Sequence, residues 1–562
     1  MKKITDHIKK NPFTFRATFQ KIAVDVTPTW IRKKVQWLEK RISIKLVLCL
    51  AVILAIAATT LSLSKDWIIV YGDSESHLNI AKRVIHSITP GFAQLGGIWL
   101  PLPHLLMVPF VMIEPLYRTG LAGSIVSGIA YVISAVYLYK LTYSITNSKI
   151  SAFIAFVVFA TNPNALYMQS TPMTELPLTA FFLLSSYYFI RFISSGSISS
   201  MMLAGLFGFC ATLSRYDGWF LVAFEALIIV LVHFWNEGTF SLVFKRRIDQ
   251  ILETFQKAQG KLVLFSTVAF FGIIIWMAWD FLILGDPFYF TNSQFSARAQ
   301  QENWFRRGEL PAKGDLPLAF VYFLVTSMSS GGILLSLVAL IGMYLYITST
   351  EKKKWFVVLV LLVPFIFNVF TLFVGQSVIF IPHVTPRSFE WTLFNVRYGM
   401  LMLPVIALFF GYLYHKGKTL VRALLILLIV MQFALYTVGY SQAISLQDGL
   451  VGLSSAKRPD AETWMRKNYD HGLVLLDDYA RSISIIRAGI PMQNIIYVGN
   501  KPYWEISLKK PSAYARWIVM QRDDSVWKAI IDDKHMSDQL YTYFQKVYTS
   551  KEVLIFRRIP GK

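Results

Sequence analysis

Cysteine is almost absent from this chain. Its two cysteines, Cys49 and Cys210, both lie within apolar runs, which excludes a disulfide framework and a thiolate metal site. Charge is scarce as well. Only 16% of the residues are charged against 55% hydrophobic, and with a mean hydropathy of +0.49 the 562 residues are too apolar for a soluble multidomain protein. No internal repeat or low-complexity tract is visible, so the inverted repeats common in transporters are missing from the sequence. Acids are outnumbered by bases, 33 to 55. The resulting +22 has an ordinary source in the basic loops of a membrane protein and its anionic lipid headgroups, and no nucleic-acid partner follows from it.

What the chain does have is long hydrophobic runs. About eleven are long enough, or nearly so, to cross the hydrocarbon core as helices: roughly 46–64, 119–140, 150–166, 175–193, 201–214, 218–235, 262–284, 330–348, 356–376, 394–413 and 419–438. Residues 1–45 carry twelve Lys and Arg against three acids and lead straight into the first run, so the positive-inside rule puts the N-terminus in the cytoplasm. Eleven crossings then put the C-terminus outside. The same parity assigns Lys140 and Lys149, Arg191, Lys245-Arg246-Arg247, Lys352-Lys353-Lys354, and Lys416 with Lys418 to cytoplasmic loops. The N-terminal tail is too long and polar for a typical cleaved signal peptide, and the 46–64 run reads as a retained anchor.

The expected architecture is a polytopic α-helical membrane protein in three parts. A cytoplasmic basic arm covers 1–45, with Trp30, Ile31, Val35 and Leu38 at the spacing of an interfacial helix. A transmembrane bundle covers 46–440. Over 441–562 strand-like runs (Leu473–Leu476, Asn494–Val498, Ala515–Met520, Val553–Phe556) alternate with helical patterns (Glu462–Tyr469, Tyr479–Ala488, Met536–Val547), which predicts a small extracytoplasmic α/β domain.

With this topology the unusual polar residues fall on the outer side: Tyr71 to His77, Asn162-Pro163-Asn164, Thr171 to Glu175, Ser214 to Trp219, Asp280, Gly285 to Tyr289, Arg387, and Asn395 to Tyr398. Only Glu225 sits clearly within a span. A mixed acid, base and aromatic set converging on one face describes an active-site mouth better than a transport path, which needs ionisable groups near the midplane.

Asp73 and Glu75 stand two residues apart beside His77. Carboxylates at a membrane surface are costly unless solvated, paired or bound. Asp73 suits the N-cap of a surface helix with Glu75 in its first turn, and the same rigid placement suits a general base that takes a proton from an incoming hydroxyl. Glu75 has three open roles: sharing a metal, binding the acceptor, or tuning its neighbour. The proline-broken segment from Gly96 through His104 reads as helices lying in the outer interface, a wall for a lipid chain, with His104 either structural or a substrate ligand. Arg215 and Asp217 around Tyr216 fit a local ion pair or a substrate grip, Glu175 a helix cap or a site acid, and Arg397 with Tyr398 snorkelling or binding. Arg215, Arg387 and Arg397 are the cations suited to gripping a lipid phosphate, because the guanidinium fork matches it.

In combination these residues resemble the GT-C superfamily of membrane glycosyltransferases, and within it the family 39-like group of protein O-mannosyltransferases and aminoarabinose transferases. The resemblance rests on GDSESHLNIAKR, WLPLPHLLM, NPNALYMQSTPMTELP, LSRYDGW and GDPFYF, and covers about residues 46–400. It implies a GT-C-like bundle that transfers a sugar from a polyprenyl-phosphate donor, usually with inversion, to a glycan, lipid or protein acceptor, with Asp73 as the base and Glu75 as the second acid of the first-loop motif. The O-mannosyltransferases have adjacent Asp-Glu, whereas Ser74 separates the two acids here, and that spacing leaves open whether Mg²⁺ or Mn²⁺ takes part. The rivals are a transporter or flippase of lipid-linked sugars, a glycan-binding scaffold or sensor, and a membrane hydrolase or ligase.

Overall fold

The computed structural model describes residues 37–238, 248–438, 443–453 and 459–561. The basic arm through residue 36, with Trp30, Ile31 and Val35, and the Lys245-Arg246-Arg247 loop lie outside the described residues.

Among the described residues six helices are long and apolar enough to cross a bilayer: Ile44–Ser64, Leu121–Thr146, Glu175–Ser195, Asp217–Asn236, Val396–Lys416 and Thr419–Thr437. Three bent pairs bring the number to nine if each counts as one span. The expected eleven included two runs that form only short helices, Lys149–Ala160 and Ile198–Thr212. The first is cut short for a local reason. Asn162 caps a new helix, Pro163–Met168, by accepting the N–H groups of Asn164 and Ala165, and Pro163 occupies its first position. The expected span over 330–348 is the Ile333–Ile347 helix, and it turns 110° from the preceding Leu316–Gly331 helix at its start. Gly332 turns it with φ +89°, a value that L side chains avoid.

The Glu175–Ser195 helix gives the bundle its vertical scale, about 30 Å for 21 residues. At its foot the carbonyl of Ile193 accepts from Lys353 Nζ at 2.6 Å. The far end from Glu175 therefore gathers the basic loops, and there Glu39 also caps the Lys149–Ala160 helix through the N–H groups of Lys149 and Ile150. Ile56, Leu282, Leu427 and Val430 are exposed on outer helices, as lipid contact requires.

At the Glu175 end, the Gly72–Ile85 and Leu102–Val111 helices lie beside a five-stranded sheet of order β2-β1-β3-β5-β4, in which β1 is Leu473–Leu476, β2 Ile495–Ile496, β3 Ala515–Gln521, β4 Phe544–Thr549 and β5 Val553–Arg558. β1 pairs parallel with β2 and β3, while β5 runs antiparallel to β3 and β4. Alternate residues of β3 face opposite sides, so Trp517 and Val519 enter one core and Ile518 and Met520 the other. The first of these cores is shared. Leu78, Ala81, Met107, Val111 and Ala122 of the bundle side pack with Val474, Leu476, Ile485 and Trp517 of the sheet unit. The Ile444–Val451 helix packs on the bundle, with the Ser445 N–H donating to Asn164 Oδ1 at 3.0 Å.

One close approach sets the position of Arg397. Gly399, in the 3₁₀ turn Val396–Met402, lies so near the Leu316–Gly331 helix that an added Cβ would sit 2.3 Å from Thr326 O. Gly399→Ala is expected to cost about 1–3 kcal/mol by overpacking, read as an earlier thermal unfolding midpoint of the detergent-solubilised protein. An unchanged midpoint would contradict this packing.

Candidate active site

The Gly72–Ile85 helix begins one residue before Asp73. Asp73 is thus not the N-cap; Tyr71 occupies that position without a side-chain cap, and Asp73 and Glu75 sit in the first turn, where the helix dipole favours them. The two acids diverge. Each oxygen of Asp73 takes one guanidinium: Arg397 Nη2 donates to Oδ2 and Arg481 Nη2 to Oδ1, both at 2.8 Å. Glu75 instead accepts the backbone N–H of Ile486 at 3.1 Å and ties the helix to the sheet unit.

Arg397 is the centre of the cluster. Its Nε donates to Glu175 Oε1 at 3.0 Å, and the same oxygen accepts Arg215 Nη1 at 3.2 Å. Arg215 also reaches Thr174 Oγ1 at 3.1 Å and Asp217 Oδ2 at 3.3 Å, and Asn368 donates to the other oxygen of Asp217. The ring of Tyr398 lies 4.9 Å from the Arg215 guanidinium and 5.0 Å from that of Arg397, and Tyr71 lies 5.0 Å from Arg397. Glu175 is fully buried and the Arg397 side chain only 4% exposed, yet among the described residues Arg397 Nη1 and Glu175 Oε2 have no hydrogen-bond partner. Buried unpaired groups of this kind cost about 1–3 kcal/mol each, and they mark where a ligand would bond.

Electrostatics outside the spans follow from burial and these partners. Burial raises the proton affinity of the Asp73 carboxyl, but the guanidinium charges of Arg481 and Arg397 outweigh it and hold Asp73 below the ordinary carboxylate value. Burial pushes Glu75 up. His77 and His104 are hydrogen-bonded to each other, Nδ1 to Nε2 at 2.8 Å, with Trp99 4.5 Å from the His77 ring. Burial pushes the His77 ring down to about 3 and lowers His104 too, so both are neutral. Asp448 receives the Tyr71 hydroxyl at 3.2 Å, and burial pushes its carboxyl up to about 6.

Sequence reasoning therefore named six members of the cluster: Asp73, Glu175, Arg215, Asp217, Arg397 and Tyr398. His104 stands one step away, against His77. Tyr216 donates to Ile98 O at 2.7 Å and stacks on Phe290, holding the glycine-rich loop to the bundle. Arg387 is exposed, and no hydrogen bond or ion pair joins it to the cluster. Arg481, Asp448 and Asn368 were missed. The proposed divalent cation does not fit: Asp73 and Glu75 face different partners, Asp73 carries two guanidiniums, and no group of three His, Cys, Asp or Glu converges among the described residues.

Two predictions follow from this geometry. Glu175→Gln leaves Arg397 and Arg215 buried against one charge fewer and should cost about 3–5 kcal/mol, seen as a large fall in thermal midpoint; a midpoint near that of the unaltered protein would refute the pairing. The second concerns acid. Because His77 is neutral when folded down to about 3 but protonates when unfolded near 6.5, its stabilisation is present above about 6.5 and is lost as pH falls through that window. Denaturation midpoints measured from pH 7 to 4 should decline, and less steeply in His77→Gln.

The family model of dolichyl-phosphate-mannose-protein mannosyltransferases matches residues 114–245, less than half of the chain, a stretch that contains Glu175, Arg215 and Asp217. No curated protein sequence matches the chain. Among solved structures it is similar to ArnT of Cupriavidus metallidurans bound to undecaprenyl phosphate, at 10% identity with a TM-score of 0.50, over 90% of this chain and 98% of that one. It is also similar to the oligosaccharyltransferase AglB of Archaeoglobus fulgidus in complex with an inhibitory peptide and a dolichol-phosphate, at 13% identity and a TM-score of 0.43, over 90% of this chain and 73% of that one. The chain has the fold of the GT-C superfamily of membrane glycosyltransferases.

Proposed function

We propose that this protein transfers a sugar from a polyprenyl-phosphate-linked donor to an acceptor hydroxyl on the extracytoplasmic face of a membrane, with inversion, and that Asp73 is the base. The observation that carries this reading is the buried Arg397 guanidinium, with its unpaired Nη1, beside the only partly covered carboxylate of Asp73. An anion fits the first and an acceptor proton the second. The undecaprenyl phosphate bound to ArnT supports the donor class. The acceptor is a glycan, a lipid or a protein.

In the reaction the acceptor oxygen attacks the anomeric carbon as the bond to the donor phosphate breaks. The proton passes to Asp73, and the lipid phosphate departs against Arg397, with Arg215 behind it. Asp73 is ionised across the physiological range, so the base is in its accepting form whenever the site fills. A lipid-linked donor accounts for the membrane setting, since the isoprenoid stays in the bilayer while its phosphate reaches the surface. Basic loops at the opposite end of the bundle support a cytoplasmic N-terminus and an extracytoplasmic sheet unit after about residue 441, and the membrane of this reading is a prokaryotic plasma membrane.

The test is transfer of radiolabelled sugar from polyprenyl-phosphate donors by the purified protein. Asp73→Asn is expected to lower turnover by roughly 10²–10⁴ and, because Arg397 loses one of its two carboxylates, to lower the thermal midpoint as well while the protein still folds; near-normal transfer by the folded variant would end the base assignment. Movement of the labelled lipid across a vesicle wall without transfer would favour the flippase reading instead.

A further inference from the structure

We propose that the sheet unit completes the membrane site, and that its Arg481 is a second ligand of the donor phosphate, parked on Asp73 until the donor arrives. The inference rests on the donor reading above. Arg481 lies in the loop between β1 and the Ile485–Ala488 helix turn. β2 and β3 flank β1, so this loop leaves the carboxyl end of the strand where the parallel order reverses, the place where open α/β sheets hold their ligands. The bundle here presents its acidic helix start to that crevice.

Three observations point to a working arginine rather than a tether. The first is the closeness of its approach. An added Cβ on Gly72 would sit 1.5 Å from Arg481 Nη1, so only a glycine lets the guanidinium lie across the helix start, and Arg481 itself holds φ +51°, uncommon for a non-glycine residue. The second is charge. The bundle supplies two guanidiniums, Arg397 and Arg215, against three carboxylates, Asp73, Glu175 and Asp217, and His77 is neutral. That ion-paired set has the wrong sign for a phosphate, and Arg481 brings it to neutrality. The third is freedom of movement. The Arg481 side chain is 44% exposed against 4% for Arg397, so one guanidinium is fixed and the other is able to swing.

The exchange has a chemical consequence. Both oxygens of Asp73 carry a guanidinium in the structure. When Arg481 turns to the phosphate, one oxygen becomes available to the acceptor hydroxyl, so donor binding prepares the base.

The experiment measures binding of undecaprenyl phosphate to the purified full chain in nanodiscs by native mass spectrometry, together with the donor KM and kcat. Arg481→Ala is expected to weaken binding at least tenfold and to raise the donor KM, with Arg481→Lys intermediate. Gly72→Ala, whose new methyl has its three nearest atoms all in the Arg481 side chain, should weaken binding in the same direction. Arg466→Ala, an exposed arginine of the same unit, should leave it unchanged. Wild-type affinity in Arg481→Ala overturns the proposal while leaving the donor reading intact. An equal loss in Arg83→Ala, which breaks the separate ion pair to Asp478, also overturns it, because Arg481 would then act only as a tether. If the unaltered protein does not bind the lipid phosphate, the donor reading falls and takes this inference with it.

Discussion

Everything at the Glu175 end of the bundle depends on how one buried guanidinium is held. Taking Arg397 out of water costs several kcal/mol, and the cost is offset only where geometry is good and opposite charge is close. Glu175 and Asp73 supply both, at 3.0 and 2.8 Å, from positions 222 and 324 residues away in sequence. Two tyrosine faces enclose the cation where no further carboxylate reaches. The Gly72–Ile85 helix, the Glu175–Ser195 helix and the turn at Val396–Met402 therefore meet at one point, and displacing any of them leaves a charge stranded. Nη1, without a partner among the described residues, is what remains of that compromise, and under the proposed function it is where the donor phosphate binds.

The same end of the molecule explains why the sheet unit is not a loose appendage. It shares a hydrophobic core with the juxtamembrane helices, and the polar contacts around that core are equally mutual. Arg83 pairs with Asp478, Asn500 donates to Ser87 and Thr89, and Arg118 donates to the carbonyls of Ile486 and Ile490. Glu75, chosen from the sequence for chemistry, belongs to this interface. Its burial is accounted for by the Ile486 N–H, which a carboxylate satisfies well at the start of a helical turn.

Local signals made part of this legible in the sequence. The hydrophobic runs gave the membrane class, and apolar tetrads such as Leu473–Leu476 gave β1, because a strand buried on both faces reads as a continuous run. β4 was hidden. Phe544–Thr549 continues the pattern of the preceding helix, has mostly exposed side chains, and becomes a strand only by pairing with β5, a contact that no local period reveals. Arg481 was hidden for a related reason: its segment was read as helix through Ala488, but the structure has only Ile485–Ala488 helical, and the loop before it is shaped by contacts more than 400 residues away. Arg387 shows the converse, a residue type that suits phosphate but with no partner in the fold to bring it to the site.

Position along the helices distinguishes the clustered acids from Glu225. Asp217 belongs to the cluster at the outer end of its helix, and Glu225 lies two turns further in, about 12 Å below. Both oxygens of Glu225 contact Ser185 Oγ at 3.0 Å, and its burial is complete. A carboxyl bonded to a serine of the neighbouring helix fastens two helices together; it offers no next group to receive an ion or a sugar. The ionised groups that do communicate, from Asp217 through Arg215, Glu175 and Arg397 to Asp73 and Arg481, form a largely buried chain across the Glu175 end of the bundle rather than along its length. A chain in that direction joins the buried interior of the bundle at Asp217 to the sheet unit, and under the proposed function it is where phosphate and acceptor meet.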